Sequence, residues 1–162
     1  LGRGHKVIAS AVVSKKVLKR VMRITPERLA HDAQVAILGS QMAGLCGHNL
    51  HLSNGLTAIY LATGQDVACV CENVAGVMSY ETNDDGDLVV SLTMPSLTVG
   101  TVGGATRLPQ QRQNLQLLGC EGKHGSRKLA EIVAASCLGL ELSLGCAIAT
   151  NEFALAHQQY GR

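Results

Sequence analysis

Gly100-Thr-Val-Gly-Gly-Ala105, Asp66 and His157 are the residues whose types and setting could do chemistry. The glycine run joins a strand-like stretch, Leu88 to Val99, to a helix-like one opening at Leu108-Pro-Gln-Gln. Three glycines in five positions let the backbone take φ > 0 and let another backbone or a ligand come close. Such a loop makes room for a phosphate or a flat cofactor ring, and the same composition also serves a plain tight connection. Asp66 ends a helical stretch at Gly64-Gln-Asp66, where a carboxylate faces the negative end of the helix dipole. It is therefore either solvated or compensated by a cation, and a buried, compensated carboxylate would have a perturbed proton affinity. His157, beside Ala154 and Ala156 on the last helix, is a candidate by residue type, although a histidine near a chain end usually serves as a plain surface residue.

His48 and His51 are three apart and could share a helix face, but no third ligand stands at a sensible spacing, so they are not assigned to a metal. Glu141, within Leu140-Glu-Leu-Ser-Leu144, lies in a long apolar helix and is expected to pair with an arginine or lysine from a neighbouring element.

The elements that must position these groups follow from pattern. Val7 to Ser14 is β-branched and strand-like. Lys15 to Arg23 reads as a short basic helix, and Thr25-Pro-Glu as a helix start, with Thr at N-cap and Pro in the first turn. Helical spacing runs on towards Gly44, and a second helical stretch covers His48 to Thr63, stopped by Gly64. Val67 to Val74 and Val77 to Glu81 read as β segments, and Asn83-Asp-Asp-Gly86 as a hairpin turn before the strand from Leu88. Leu108 to Leu118, a long stretch from Gly125 through Ile148, and Asn151 to Tyr160 read as helices. The expected class is α+β, with long apolar central helices packed against antiparallel strands.

Composition narrows the function classes. At 162 residues the chain suits one domain, and with 46% hydrophobic but only 2% aromatic residues its core must come from Leu, Ile, Val and Ala. A net charge of +2 with mixed signs and almost no aromatic surface for base stacking excludes a nucleic-acid protein. Six cysteines lie mostly in apolar runs without a Cys-x-x-Cys pair, which is the pattern of buried reduced thiols in an intracellular protein. The apolar runs are interrupted by polar residues short of the ~18 to 20 that a membrane span needs, so the chain is expected to be soluble and cytoplasmic. An N-terminus that runs into a strand without an initiator Met suggests a longer upstream sequence, on which a membrane anchor could lie.

In combination the motifs are specific. Asn49-Leu-His-Leu-Ser-Asn54, Ala62-Thr-Gly-Gln-Asp66, Thr93-Met-Pro-Ser96, Gly100-Thr-Val-Gly-Gly104, Glu141-Leu-Ser-Leu144 and Ala156-His-Gln-Gln-Tyr-Gly-Arg162 occur in this order across nearly the whole chain. Together they resemble the C-terminal half of the catalytic domain of 3-hydroxy-3-methylglutaryl-coenzyme A (HMG-CoA) reductases. The resemblance implies two hydride transfers that convert HMG-CoA to mevalonate and free CoA, with NADPH as cofactor and NADH as the alternative. It implies that Asp66 is the catalytic aspartate and that His157 protonates the departing CoA thiolate. Asn54 and His51 would contact substrate, and Gly100, Thr101, Val102, Gly103, Gly104 and Arg162 would lie on the cofactor side. Residues 1–162 would form the C-terminal portion of the large, substrate-binding domain, with the cofactor-binding domain, the catalytic lysine and a glutamate supplied from upstream sequence. The partners implied are that upstream half and a second copy of the enzyme, because the family sets its active site at a dimer interface. A straight helix would separate Asn54 from Asp66 by about 18 Å, which also calls for a bend or two subunits. Many members carry a lysine that contacts the HMG group just before Gly39-Ser40, where this chain has Val35-Ala-Ile-Leu38. That departure supports an alternative, a non-catalytic module that keeps the dimer-forming fold.

Overall fold

The structure is a computed structural model describing residues 3–45 and 47–161. Three antiparallel strands form a sheet in the order β1–β3–β2, where β1 is His5–Val13, β2 Val77–Thr82 and β3 Leu88–Leu97. The turn at Asn83-Asp-Asp-Gly86 joins β2 to β3, with Gly86 at φ 74°. Along β3, Leu88, Val90, Leu92 and Met94 alternate into the core. Pro95 has no N–H for the ladder, and the register slips here: His5 pairs with Leu97 and Val7 with Met94, so β3 spends one extra residue.

Helix α1 (Lys15–Val17) runs into a π-helical turn at Leu18–Met22, so the basic stretch is not one regular helix. Arg23, at φ 55°, breaks it from α2 (Pro26–Met42), whose first turn is capped by the Thr25 hydroxyl accepting from Arg28 N–H. Helix α3 covers Leu52–Thr63 and ends at Gly64 in the left-handed conformation. It begins four residues later than expected, so His48 and His51 sit in the loop before it and do not share a helix face. The segment read as a strand from Val67 is helical instead, a 3-10 turn at Val67–Cys69 leading into α4 (Val70–Asn73). Local β-branched content was misleading there: Asp66 supplies a cap that starts a helical turn.

Helices α5 (Pro109–Leu117), α6 (Gly125–Ala149) and α7 (Glu152–Tyr160) complete the chain. Helix α6 buries Leu129, Val133, Cys137, Leu138 and Leu142 against β1, β3 and α3, at the three- and four-residue spacing of a core-facing stripe. By length and composition it could cross a membrane, contrary to the expectation that the apolar runs end too early. In this fold it is the central core helix. Cys69, Cys120, Cys137 and Cys146 are buried free thiols as expected, while Cys71 is exposed and Cys46 lies outside the described residues.

Candidate active site

Asp66 and the glycine loop are brought together. Gly64, at φ 71°, packs so closely that a Cβ there would stand 2.6 Å from the Ala105 carbonyl. The next side chain, Gln65, bonds Gly100 twice: its Nε2 donates to Gly100 O at 2.8 Å, and its Oε1 accepts from Gly100 N–H at 2.7 Å. Its Nε2 also donates to Thr63 O at 3.1 Å. At the far end of the loop, the Thr106 hydroxyl donates to Gly103 O. Thr101 rests on the start of α6, where a Cβ on Gly125 would meet its Oγ1 at 2.9 Å. Between these anchors Val102 is 89% exposed. Cβ atoms built on Gly100 or Gly104 would meet nothing within 4 Å, and Gly103 and Gly104 have positive φ. The outer side of the loop is open to a flat ring approaching the main chain, which is the fit a nicotinamide requires.

Asp66 is exposed and lies beyond the end of α3. Its Oδ1 accepts from Ala68 N–H at 3.0 Å, so it caps the following turn. The expected clash with the dipole of α3 does not arise, because the carboxylate faces the favourable N-terminus of the next element.

Behind the loop a polar network fixes the end of β3. Tyr60 donates to Thr98 O at 2.8 Å and accepts from Asn73 Nδ2 at 2.7 Å, while Asn73 Oδ1 accepts from Thr98 N–H. Burial pushes the Tyr60 phenol up to about 12.

His51 and Asn54 lie at the other end of α3. Glu141, 1% exposed, accepts three main-chain bonds there, from Leu50, His51 and Leu52 N–H at 2.8, 2.6 and 2.7 Å. The expected cation partner is replaced by the positive end of a helix, which satisfies a carboxylate as well. Its charge adds to burial in raising the Tyr80 phenol, and burial chiefly, then Glu141, pushes the Cys137 thiol up to about 11. His51 is half-buried with Nδ1 unpartnered, and Asn54 is exposed on the first turn of α3. A cavity of about 320 Å³ opens beside this corner, walled by Val35, Ala36 and Ile37 of α2, by His48 and Leu50, and by Tyr80.

His157 lies beyond the C-terminal end of α6, on α7, every residue of which is exposed. Its Nδ1 is 2.8 Å from Phe153 O. A carbonyl oxygen only accepts, so Nδ1 carries the hydrogen of this bond. The Phe153 ring packs on the imidazole at 4.1 Å between centroids.

The predicted residues therefore fall at three places. Asp66 and Gly100–Gly104 share one corner, while Asn54 and, just before the helix, His51 lie at the far end of α3, about 14 Å of helix from its last residue, and His157 lies beyond the opposite end of the roughly 37 Å α6. Arg162 lies outside the described residues. Sequence reasoning passed over Gln65, whose two bonds to Gly100 leave no trace in periodicity, and misassigned the partner of Glu141.

This α+β fold is that of HMG-CoA reductases. A solved class II 3-hydroxy-3-methylglutaryl-CoA reductase from Streptococcus pneumoniae, bound to NADPH in open conformations, superposes with a TM-score of 0.70 at 26% identity, over 88% of this chain and 41% of that one. The chain belongs to the hydroxymethylglutaryl-coenzyme A reductase family, whose model matches residues 1–162. The 3-hydroxy-3-methylglutaryl-coenzyme A reductase of Pyrococcus horikoshii is 46% identical across 100% of this chain and 41% of its own length. Reductase 1 of Oryza sativa subsp. japonica is 43% identical over 99% of this chain and 32% of its own. The chain thus spans less than half the length of these relatives.

Proposed function

We propose that residues 1–162 act as the C-terminal part of the catalytic domain of an HMG-CoA reductase, within a larger assembly that adds a catalytic lysine, a glutamate and a cofactor-binding domain. The observation that carries this reading is the pinning of the open Gly100–Gly104 loop against the Gly64–Asp66 turn, which sets a carboxylate beside a surface fit for a nicotinamide. NADPH, when bound, supplies one hydride in each of two rounds. Hydride addition puts negative charge on the thioester carbonyl oxygen, where a cation is needed, and Asp66 tunes that cation. The C–S bond then breaks, and the thiolate takes a proton from Nε2 of protonated His157, so that it cannot re-add to the aldehyde. A second hydride and a proton convert the aldehyde to the alcohol of mevalonate. Asn54 and His51, held at the start of α3, contact the acyl substrate. Because one chain keeps His51, Asn54 and His157 far from Asp66, complete sites form between copies of the enzyme.

The separation of tasks gives the test. In the complete enzyme, His157→Gln lowers HMG-CoA reduction by about a hundredfold or more but spares mevaldehyde reduction. Equal losses in both assays remove His157 from the thiolate role. Residues 1–162 alone do not oxidise NADPH with HMG-CoA, and appreciable turnover by the isolated chain sinks the proposed dependence on other segments.

A second reading is a non-catalytic module of the same family. It is favoured by Val35, which lines the cavity from α2 at the position that carries a lysine in many members. Absence of HMG-CoA turnover by the complete protein, with oligomer formation intact, would select it.

A further inference from the structure

The loop and Asp66 are not merely neighbours, because one side chain ties their geometry together. Gln65 is the residue directly before Asp66, and its amide reads Gly100 as a peptide would, giving an N–H and accepting one. A third bond, to Thr63 O, fixes the amide on its own turn. On one side, Gly64 packs against the main chain of Ala105; on the other, the Tyr60–Asn73–Thr98 network holds the strand end two residues before Gly100. The loop is thus gripped at residues 98–100 and at 105–106, by α3, by the turn that ends in Asp66 and by Asn73 of α4. Only Thr101 to Gly104 span the gap.

We propose that Gln65 is a positioning residue for the hydride-transfer site: its amide sets the height of the Gly100–Gly104 loop relative to Asp66, and so fixes how a nicotinamide lies against that carboxylate. The inference rests on the reading of the loop as the cofactor wall. Glutamine is the side chain the geometry requires. It offers a donor and an acceptor side by side, whereas glutamate would set an oxygen against Gly100 O and methionine would offer neither bond. Loss of both bonds frees the first residue of the loop while the grip at Ala105 and Thr106 remains. The effect is therefore a displaced cofactor surface in an otherwise folded protein.

The test uses the complete enzyme carrying Gln65→Met or Gln65→Glu, with Val102→Trp as a separate probe of the loop. Steady-state kinetics give KM for NADPH and for HMG-CoA, and hydrogen exchange reads the Gly100 and Thr98 amides. The expected result is an NADPH KM raised about tenfold, an HMG-CoA KM within twofold of the parent, and a Gly100 amide that exchanges at least tenfold faster while Thr98 stays protected. If Val102→Trp raises the NADPH KM and the Gln65 variants do not, the positioning role is overturned and the cofactor-wall reading survives. If neither substitution moves the NADPH KM, the wall reading fails and the inference with it. Equal rises in both KM values, or loss of Thr98 protection along with Gly100, make Gln65 a general structural residue and overturn the proposal. Should a kinetic variant prove too unstable to assay, exchange at Gly100 in the milder Gln65→Asn decides: unchanged protection overturns the clamp.

Discussion

The two ends of α6 are built on opposite plans. At its N-terminal end, Thr101, Gly125, Gly64 and Gln65 are locked by main-chain contacts and short hydrogen bonds within one chain. At its C-terminal end, α7 buries no residue and leaves Phe153, Leu155 and Tyr160 exposed. Among the described residues its side-chain hydrogen bond to the rest of the chain is the Arg23–Glu152 ion pair at 2.7 Å, which links Arg23 and the neighbour of Asn151, the two non-glycine residues with positive φ. The contrast separates what the chain fixes by its own packing from what it does not: the Asp66 turn is held by its own core, whereas α7 leaves apolar side chains exposed.

The comparison can be broken in several places. Asp66→Asn keeps the cap on Ala68 but removes the charge, and is expected to cut hydride transfer in the complete enzyme about a thousandfold with NADPH affinity little changed. A loss confined to KM would show that the locked corner serves only binding. Glu141→Ala leaves the Leu50, His51 and Leu52 N–H groups without their acceptor, the last of them buried, and costs about 3 kcal/mol, read as a large fall in denaturation midpoint. A small fall would mean that the start of α3 is held by something other than this carboxylate.

Tyr60→Phe leaves Thr98 O and Asn73 without their shared partner and costs about 1–3 kcal/mol. It also changes the alkaline limb. Tyr60, Cys137 and Cys146 titrate at about 12, 11 and 11 in the fold, above their ordinary values of 10.0, 9.0 and 9.0. Unfolded chains therefore lose these protons first. Stability from them is complete below pH 9 and is lost as pH rises through 11 to 12. Between pH 10 and 12 the Tyr60→Phe variant loses stability less steeply than the parent, and an identical slope would exclude Tyr60 from the effect. Smallest of all, Arg23→Ala removes an exposed ion pair and shifts stability by under about 1 kcal/mol. A larger shift would make α7 an integral part of the fold and erase the contrast between the two ends.

Much of this was legible in the sequence because it depends on local signals. The Thr25-Pro start, the Gly64 stop, the hairpin at Gly86 and the stripe on α6 each lie within a few residues of what they control. What was illegible depends on pairs far apart. Val67–Asn73 has β-branched and apolar residues that fit a strand, yet its cap at Asp66 and the bond from Asn73 to Tyr60 decide for a helix. Glu141 looked like one end of an ion pair because sequence displays charged side chains and hides the charge carried by a helix terminus. The motifs singled out Asp66, His157 and the glycine loop, but spacing could not reveal that α6 sets His157 apart from the corner that Asp66 shares with the loop.

The bonds to Glu141 also set an order on the making of the protein. They join residues 89 to 91 positions apart, so when α3 leaves the ribosome the acceptor for its first amides has not yet been translated. Water must serve those amides until most of α6 has emerged. The start of α3 and the stretch carrying His51 then gain their final shape late in synthesis, when α6 docks.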